Sequence, residues 1–161
     1  MELAMDIEDE GIRYYMHLSA KTIDKESATI FQYLAKEEQR HYDIFNAWQK
    51  KIEAPPIEDT GIFGIDAPTV FKRLMDHFET FGVPAVHYHD AYEKALLFEK
   101  KSIAAYTDAL TKLDEREQKV MLTKIITQEK SHARFITHML EFLRHPGEWL
   151  ENAEWVHHEE F

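Results

Sequence analysis

Apolar residues in this chain recur every three or four positions over four long stretches, the spacing that lines one face of an α-helix. In the second stretch the stripe reads Phe31 and Leu34, then Glu38 and His41, then Phe45 and Trp48. In the fourth it reads Leu122 and Ile125, then Glu129 and His132, then Ile136 and Met139. In both, an acid and a histidine hold places where core residues belong. The first stretch carries Ala4, Glu8, Ile12, Tyr15 and Leu18 or Ser19 along one face, and its acid interrupts the stripe in the same way. The pattern predicts an all-α four-helix bundle, with helices over residues 3–22, 27–53, 90–112 and 114–144.

The breaks between stretches set the order of the elements. A short polar interruption through Asp24 leaves the first two helices to fold as an antiparallel hairpin, and Pro55-Pro56 ends the second. Asp114 and Glu117 have the spacing of a capping box for the fourth. Residues 54–86 hold Gly61, Gly64 and an Asp66-Ala67-Pro68-Thr69 start signal for a short helix reaching about residue 81, followed by Gly82-Val83-Pro84. This long crossover with its own short helix is able to return the chain along the bundle, so that the third helix starts at the same end as the second. Pro146-Gly147 opens a C-terminal segment, about residues 146–158, with a short helix from Trp149 whose Trp149, Leu150 and Trp155 are expected to cover a bundle end or a partner's surface. The expectation is one domain over residues 1–161, with the bundle at about 3–144.

Composition narrows the chemistry. The 161 residues suffice for one real core, and 5 Gly with 5 Pro leave few breaks in helices. A net charge of −11 argues against nucleic acid or an anionic membrane as partner, because phosphates would be repelled. No leader pattern and no uninterrupted apolar run of about 18 residues is present, so a cytoplasmic protein is expected. The absence of cysteine excludes disulfides, thiolate metal sites and a cysteine nucleophile, and leaves any metal to oxygen and nitrogen donors.

Glu38 with His41, and Glu129 with His132, stand three apart, so each carboxylate and imidazole converge on one side of a helix. With 10 His in the chain about one such pair arises by chance, and Glu154 with His157 is a third. Context separates them. Thirty residues before Glu38 lies Glu8, and thirty before Glu129 lies Glu99, whereas the same step from Glu154 lands on Lys124. Ala4 and Ala95, Ile12 and Ile103, and Tyr15 and Tyr106 share the offset of 91 that relates the two acid–histidine pairs. Two hairpins packed face to face would bring Glu8, Glu38, His41, Glu99, Glu129 and His132 to one level. Four bare carboxylates there would lose several kcal/mol of hydration each and repel one another. Two divalent metals would supply the opposing charge.

With those residues on the page, the chain resembles the ferritin-like superfamily, and within it the rubrerythrin-like di-iron proteins, over about residues 3–143. The run from Ile7 through Glu8 and Gly11 to Tyr15, and the run from Leu34 through Glu38 to His41, carry the resemblance best. It implies two iron ions, with Glu8 and Glu99 as terminal ligands, Glu38 and Glu129 bridging, and His41 and His132 each capping one metal. Manganese or zinc is able to occupy such a set in a purified sample. The implied activity is a di-iron oxidoreductase that reduces peroxide or O2 with electrons from a separate donor protein, in a homo-oligomer, expected to be a dimer. Two alternatives stand beside it: an iron-oxidising storage protein of the ferritin type, and a helical protein whose metals are structural.

Two departures from the resemblance matter. The chain has no cysteine-rich rubredoxin module, so its electrons must come from elsewhere. Ser102 stands one turn after Glu99, where rubrerythrins carry an additional carboxylate, and Gly11 is its counterpart in helix 1. Both positions are read two ways, as room for a dioxygen or peroxide molecule or as close helix packing. Tyr15 and Tyr106, two turns from Glu8 and Glu99, are candidate hydrogen-bond donors to a bound oxygen species or a ligand, although plain core aromatics are the commoner outcome. Glu37 and Gln128, each preceding a bridging acid, are candidates to support a ligand. His17, His87, His89, His138, His157 and His158 are expected at the surface, and His77 is left undecided.

Overall fold

The computed structural model describes residues 1–22, 25–57 and 85–144, with Arg73, Asp76 and Thr80 between them. Four helices make up the bundle: α1 (Glu2–Lys21), α2 (Lys25–Lys50), α3 (Ala85–Lys112) and α4 (Arg116–Arg144). No strand occurs among the described residues, as the all-α reading expects. Nor is any described helix long and apolar enough to cross a membrane. α1 packs along α2 and α3 along α4, and α1 touches α3 directly, which joins the two hairpins.

The core forms in two apolar layers with a polar level between them. One layer gathers Tyr15, Phe31, Leu34, Tyr92, Phe135, Ile136 and Met139, all buried. The other gathers Ile44, Phe45, Tyr106, Leu122 and Ile125. Each such side chain contributes about 1.5–3 kcal/mol by leaving water. That burial holds the helices in register around the polar level, which by itself opposes folding.

The inner faces of α1 and α3 are rotated slightly from the predicted ones. Ile12 and Ile103 are only half-buried; Gly11 and Ser102, one residue earlier, are fully inside beside Glu8 and Glu99. A period of 3.6 places positions three and four along a helix to either side of the starting residue, so the apolar residue alone does not fix which faces inward.

Helix ends also differ from expectation. α2 stops at Lys50 rather than residue 53: Lys51 takes a left-handed conformation (φ 55°), the Ile52 N–H donates to the Ala47 carbonyl at 3.0 Å and the Lys51 N–H to that of Trp48 at 3.1 Å. This paired closure ends the helix before Pro55-Pro56 can. α3 begins at Ala85, five residues earlier than predicted, because residues 85–89 contain no helix breaker behind Pro84. α4 begins at Arg116, with the Glu115 carbonyl accepting the Lys119 N–H, which leaves Asp114 outside the predicted capping position. Of the predicted crossover helix only Arg73, Asp76 and Thr80 are described; each is helical, and the Thr80 hydroxyl donates to the Asp76 carbonyl at 2.7 Å. The rest of that prediction, the C-terminal helix with Trp149, Leu150 and Trp155, and His77, His157 and His158 lie outside the described residues.

A left-handed lysine is held at a cost that glycine does not bear. Lys51→Gly is therefore expected to stabilise the protein by about 1 kcal/mol. A urea denaturation midpoint that stays put or falls would show that the α2 terminus stores no such strain.

Candidate metal centre

α1 supplies Glu8, α2 supplies Glu38 and His41, α3 supplies Glu99, and α4 supplies Glu129 and His132. All four carboxylates are 0% exposed, with His41 at 1% and His132 at 3%. The structure brings the six predicted residues together as two overlapping groups. One is Glu8, Glu38, His41 and Glu129, the other Glu38, Glu99, Glu129 and His132, with the donor atoms of each group within 4.8 Å of one another. Glu38 and Glu129 belong to both groups.

Both imidazoles turn Nδ1 inward. His41 Nδ1 lies 3.0 Å from Glu129 Oε1 and 3.7 Å from Glu8 Oε1. His132 Nδ1 lies 3.6 Å from Glu129 Oε2, 3.7 Å from Glu99 Oε2 and 3.8 Å from Glu38 Oε1. The rings stack at 6.3 Å between centroids. On its outer edge, His41 Nε2 meets Gln128 Oε1 at 3.0 Å.

Each of the two tyrosines reaches across to the other hairpin. The Tyr15 hydroxyl donates to Glu99 Oε1, and the Tyr106 hydroxyl donates to Glu8 Oε1. They are thus core aromatics whose hydroxyls hold a carboxylate of the facing helix. One oxygen of Glu99 and one of Glu8 are committed in this way. The other, Glu8 Oε2 or Glu99 Oε2, forms no hydrogen bond among the described residues, and neither does either oxygen of Glu38 or Glu129, nor His41 Nδ1. The 3.0 Å approach of His41 Nδ1 to Glu129 is close but off the ring's N–H direction.

Buried polar atoms are almost always paired. Six carboxylate oxygens and an imidazole nitrogen aimed at one shared space without hydrogen bonds are a donor set suited to hard or borderline divalent cations. The residues present therefore fit a di-metal site.

The electrostatics agree. Burial, followed by the charge of Glu38, drives Glu8 well above the usual carboxylate range. Burial, then Glu38 and Glu129, does the same to Glu99. Burial and the charge of Glu129 raise Glu38 to about 7. Burial pushes Glu129 up as well, but the charge of His41 and the approach of His132 overcome it and hold its carboxyl below the usual range. Burial lowers both histidines, yet the neighbouring carboxylates, Glu129 foremost, raise them above their ordinary value. Tyr15 and Tyr106 are driven upward by burial and by the carboxylates beside them, so both remain protonated donors.

The structure decides the two readings of Gly11 in favour of packing. A Cβ there would stand 2.7 and 2.9 Å from the Phe98 ring and 3.2 Å from Glu38 Cγ. The same ring meets Tyr15 edge-on at 6.3 Å. Ser102 is likewise buried, its hydroxyl donating to the Phe98 carbonyl at 3.3 Å. Phe98, which sequence reasoning missed, thus fills the seam between α1 and α3; its only signal was its place beside Glu99. Glu37, 2% exposed, pairs with Arg40 at 2.5 Å. His17 is exposed as expected, whereas His89 and His138 are half-buried, and burial lowers His138 below its ordinary value. His89, Asp90 and Glu93 form a further acid–histidine group, but Arg144 donates to His89 Nε2 at 3.0 Å and to Glu93 at 3.2 Å, which accounts for its charge.

Comparison with known families adds one finding. The family profile described as Rubrerythrin matches residues 1–140. Among curated proteins and among solved structures, none matches the chain.

Two predictions follow from the packing and the charge. Gly11→Ala should lower the urea midpoint, because overpacking against Phe98 and Glu38 costs about 1–3 kcal/mol, more than the roughly 1 kcal/mol that alanine gains in a helix. A raised midpoint would mean that the seam is looser than described. The metal-free protein should also lose stability as pH rises from about 4.5 to about 7, since Glu8, Glu38 and Glu99 bind protons more tightly folded than unfolded. The raised histidines act in the same direction only from about 6.5 upward, and the depressed Glu129 contributes throughout that window, its contribution being lost only on further acidification. Glu38→Gln should flatten part of the slope; stability that rises across the window would overturn the account.

Proposed function

Because the chain belongs to the rubrerythrin family, we propose that it is a non-haem di-iron oxidoreductase that reduces hydrogen peroxide or O2 at a carboxylate-bridged pair of irons. The observation that carries this reading is the set of buried, hydrogen-bond-free donor atoms from four helices converging on one space. Glu38 and Glu129, common to both donor groups, would serve both metals, Glu8 and Glu99 would each serve one, and His41 and His132 would each bind one, their Nδ1 atoms being turned toward the site.

Two ferrous ions bound there would supply one electron each, the two electrons that, together with two protons, convert peroxide to two molecules of water. The chain's own residues prepare that chemistry. Tyr15 and Tyr106 hold one oxygen of Glu99 and of Glu8 and leave the second facing the site. The apolar layers above and below keep bulk water out, so the charges act at short range in a poorly screened interior. With no cysteine in the sequence, the reducing electrons come from a separate donor protein. The working form in this reading is a cytoplasmic homodimer, for which a −11 charge is compatible with freedom from nucleic acid and membrane surfaces.

Anaerobic protein loaded with two equivalents of ferrous iron, mixed rapidly with peroxide and with O2 in parallel, tests the proposal. Oxidation of both irons, faster with peroxide, is the expected result. Equal slowness with both oxidants would sink the enzymatic reading and leave a structural metal site. Glu129→Ala, which removes a carboxylate shared by both halves, should bind fewer than two irons per chain by metal analysis.

A further inference from the structure

We propose that Gln128 is a positioning residue that fixes the tautomer of His41 from across the hairpin interface. This inference rests on the metal-centre reading and concerns a residue outside the six donors.

A neutral imidazole carries one proton and two distinct nitrogens, so whichever nitrogen is held as a donor leaves the other with the lone pair. His41 is 1% exposed, and its Nε2 lies 3.0 Å from Gln128 Oε1. An amide oxygen only accepts. In the neutral form that can bind a cation, Nε2 therefore bears the proton, and the Nδ1 lone pair is left on the side of Glu129 and Glu8, whose oxygens lie 3.0 and 3.7 Å away. The opposite tautomer would place an N–H against the carboxylates and leave nothing on His41 to bind a cation. Gln128 belongs to α4, one residue before Glu129, whereas His41 belongs to α2. The bond thus ties the imidazole of one hairpin to the helix that supplies the carboxylate nearest it.

The internal repeat sharpens the assignment. The position 91 residues before Gln128 is Glu37, whose buried carboxylate is taken by Arg40 at 2.5 Å. A carboxylate behind a ligating histidine draws on its N–H proton and strengthens the ligand, while a neutral amide orients the ring without doing so. The amide at 128 therefore orients His41 without drawing on its proton. Gln128 and His41 also line, with Arg40, Asp43 and Pro55, a surface pocket of about 240 Å³. Water can enter such a pocket, so removal of the amide should weaken the orientation without unfolding the bundle.

The test uses the full chain loaded with zinc, a diamagnetic stand-in for iron, with 15N-labelled histidine. Long-range proton–nitrogen correlation should show His41 protonated at Nε2 and metal-bound at Nδ1. Gln128→Leu should weaken zinc binding about tenfold, the low end for loss of an outer partner, and speed exchange of the Nε2 proton, with the thermal midpoint of the metal-free protein little changed. Gln128→Glu keeps an acceptor; it should bind zinc at least as tightly as the wild type and lower the reduction potential of the iron-loaded protein. Zinc on Nε2, or a proton on Nδ1 of the loaded protein, overturns the proposal. So does wild-type affinity in Gln128→Leu, which leaves the metal centre standing, whereas a wild-type chain that binds no zinc removes both together.

Discussion

Four carboxylates withdrawn from water in the middle of a small helical bundle are the constraint to which the rest of the architecture responds. Each costs several kcal/mol of lost hydration, and each raises the cost of its neighbours. Two imidazoles offset part of that charge. Protons offset more, which is why Glu8, Glu38 and Glu99 hold theirs far above the ordinary range while Glu129, between both histidines, does not. Apolar layers on either side meet the cost by burial, and they also prevent the polar level from relieving itself by hydration.

The centre also joins the hairpins. Tyr15 to Glu99, Tyr106 to Glu8 and His41 to Gln128 all run from one hairpin to the other, so every one of these bonds adds to the interface as it shapes the site. The direct contact of α1 with α3 depends on the same level, because Gly11 admits the Phe98 ring beside Glu38. Loosening the seam would therefore move the Glu38 carboxylate along with the packing.

The helices and the convergence of the six residues were legible because a polar residue inside an apolar stripe is a strong anomaly, and six of them in two matched sets are stronger still. What lay beyond the sequence was whatever depends on how helices cross. Periodicity put Tyr15 on the face of Glu8, but which helix its hydroxyl reaches is a property of the assembled bundle. Gly11 showed that something approaches closely, not that it is Phe98. The end of α2 was missed because a left-handed lysine leaves no compositional mark, whereas the proline pair beyond it does. The preference for Ile12 over Gly11 as the inward residue failed for a simpler reason: hydrophobicity outvoted the faces that the crossing requires.

The repeat that unites the two hairpins is close to exact in its donors and loose in everything behind them. Glu8 and Glu99, Glu38 and Glu129, and His41 and His132 correspond one for one. Around them, Gly11 faces Ser102, Ile7 answers Phe98, and a glutamate held by arginine at 37 answers an amide at 128. Donor identity sets what a metal is bound by; the groups behind the donors set ligand basicity, ring orientation and packing rigidity. Two metals held by matched ligands on unmatched supports would not be equivalent, and a difference between them in affinity or potential would originate outside the six residues that the motif makes visible.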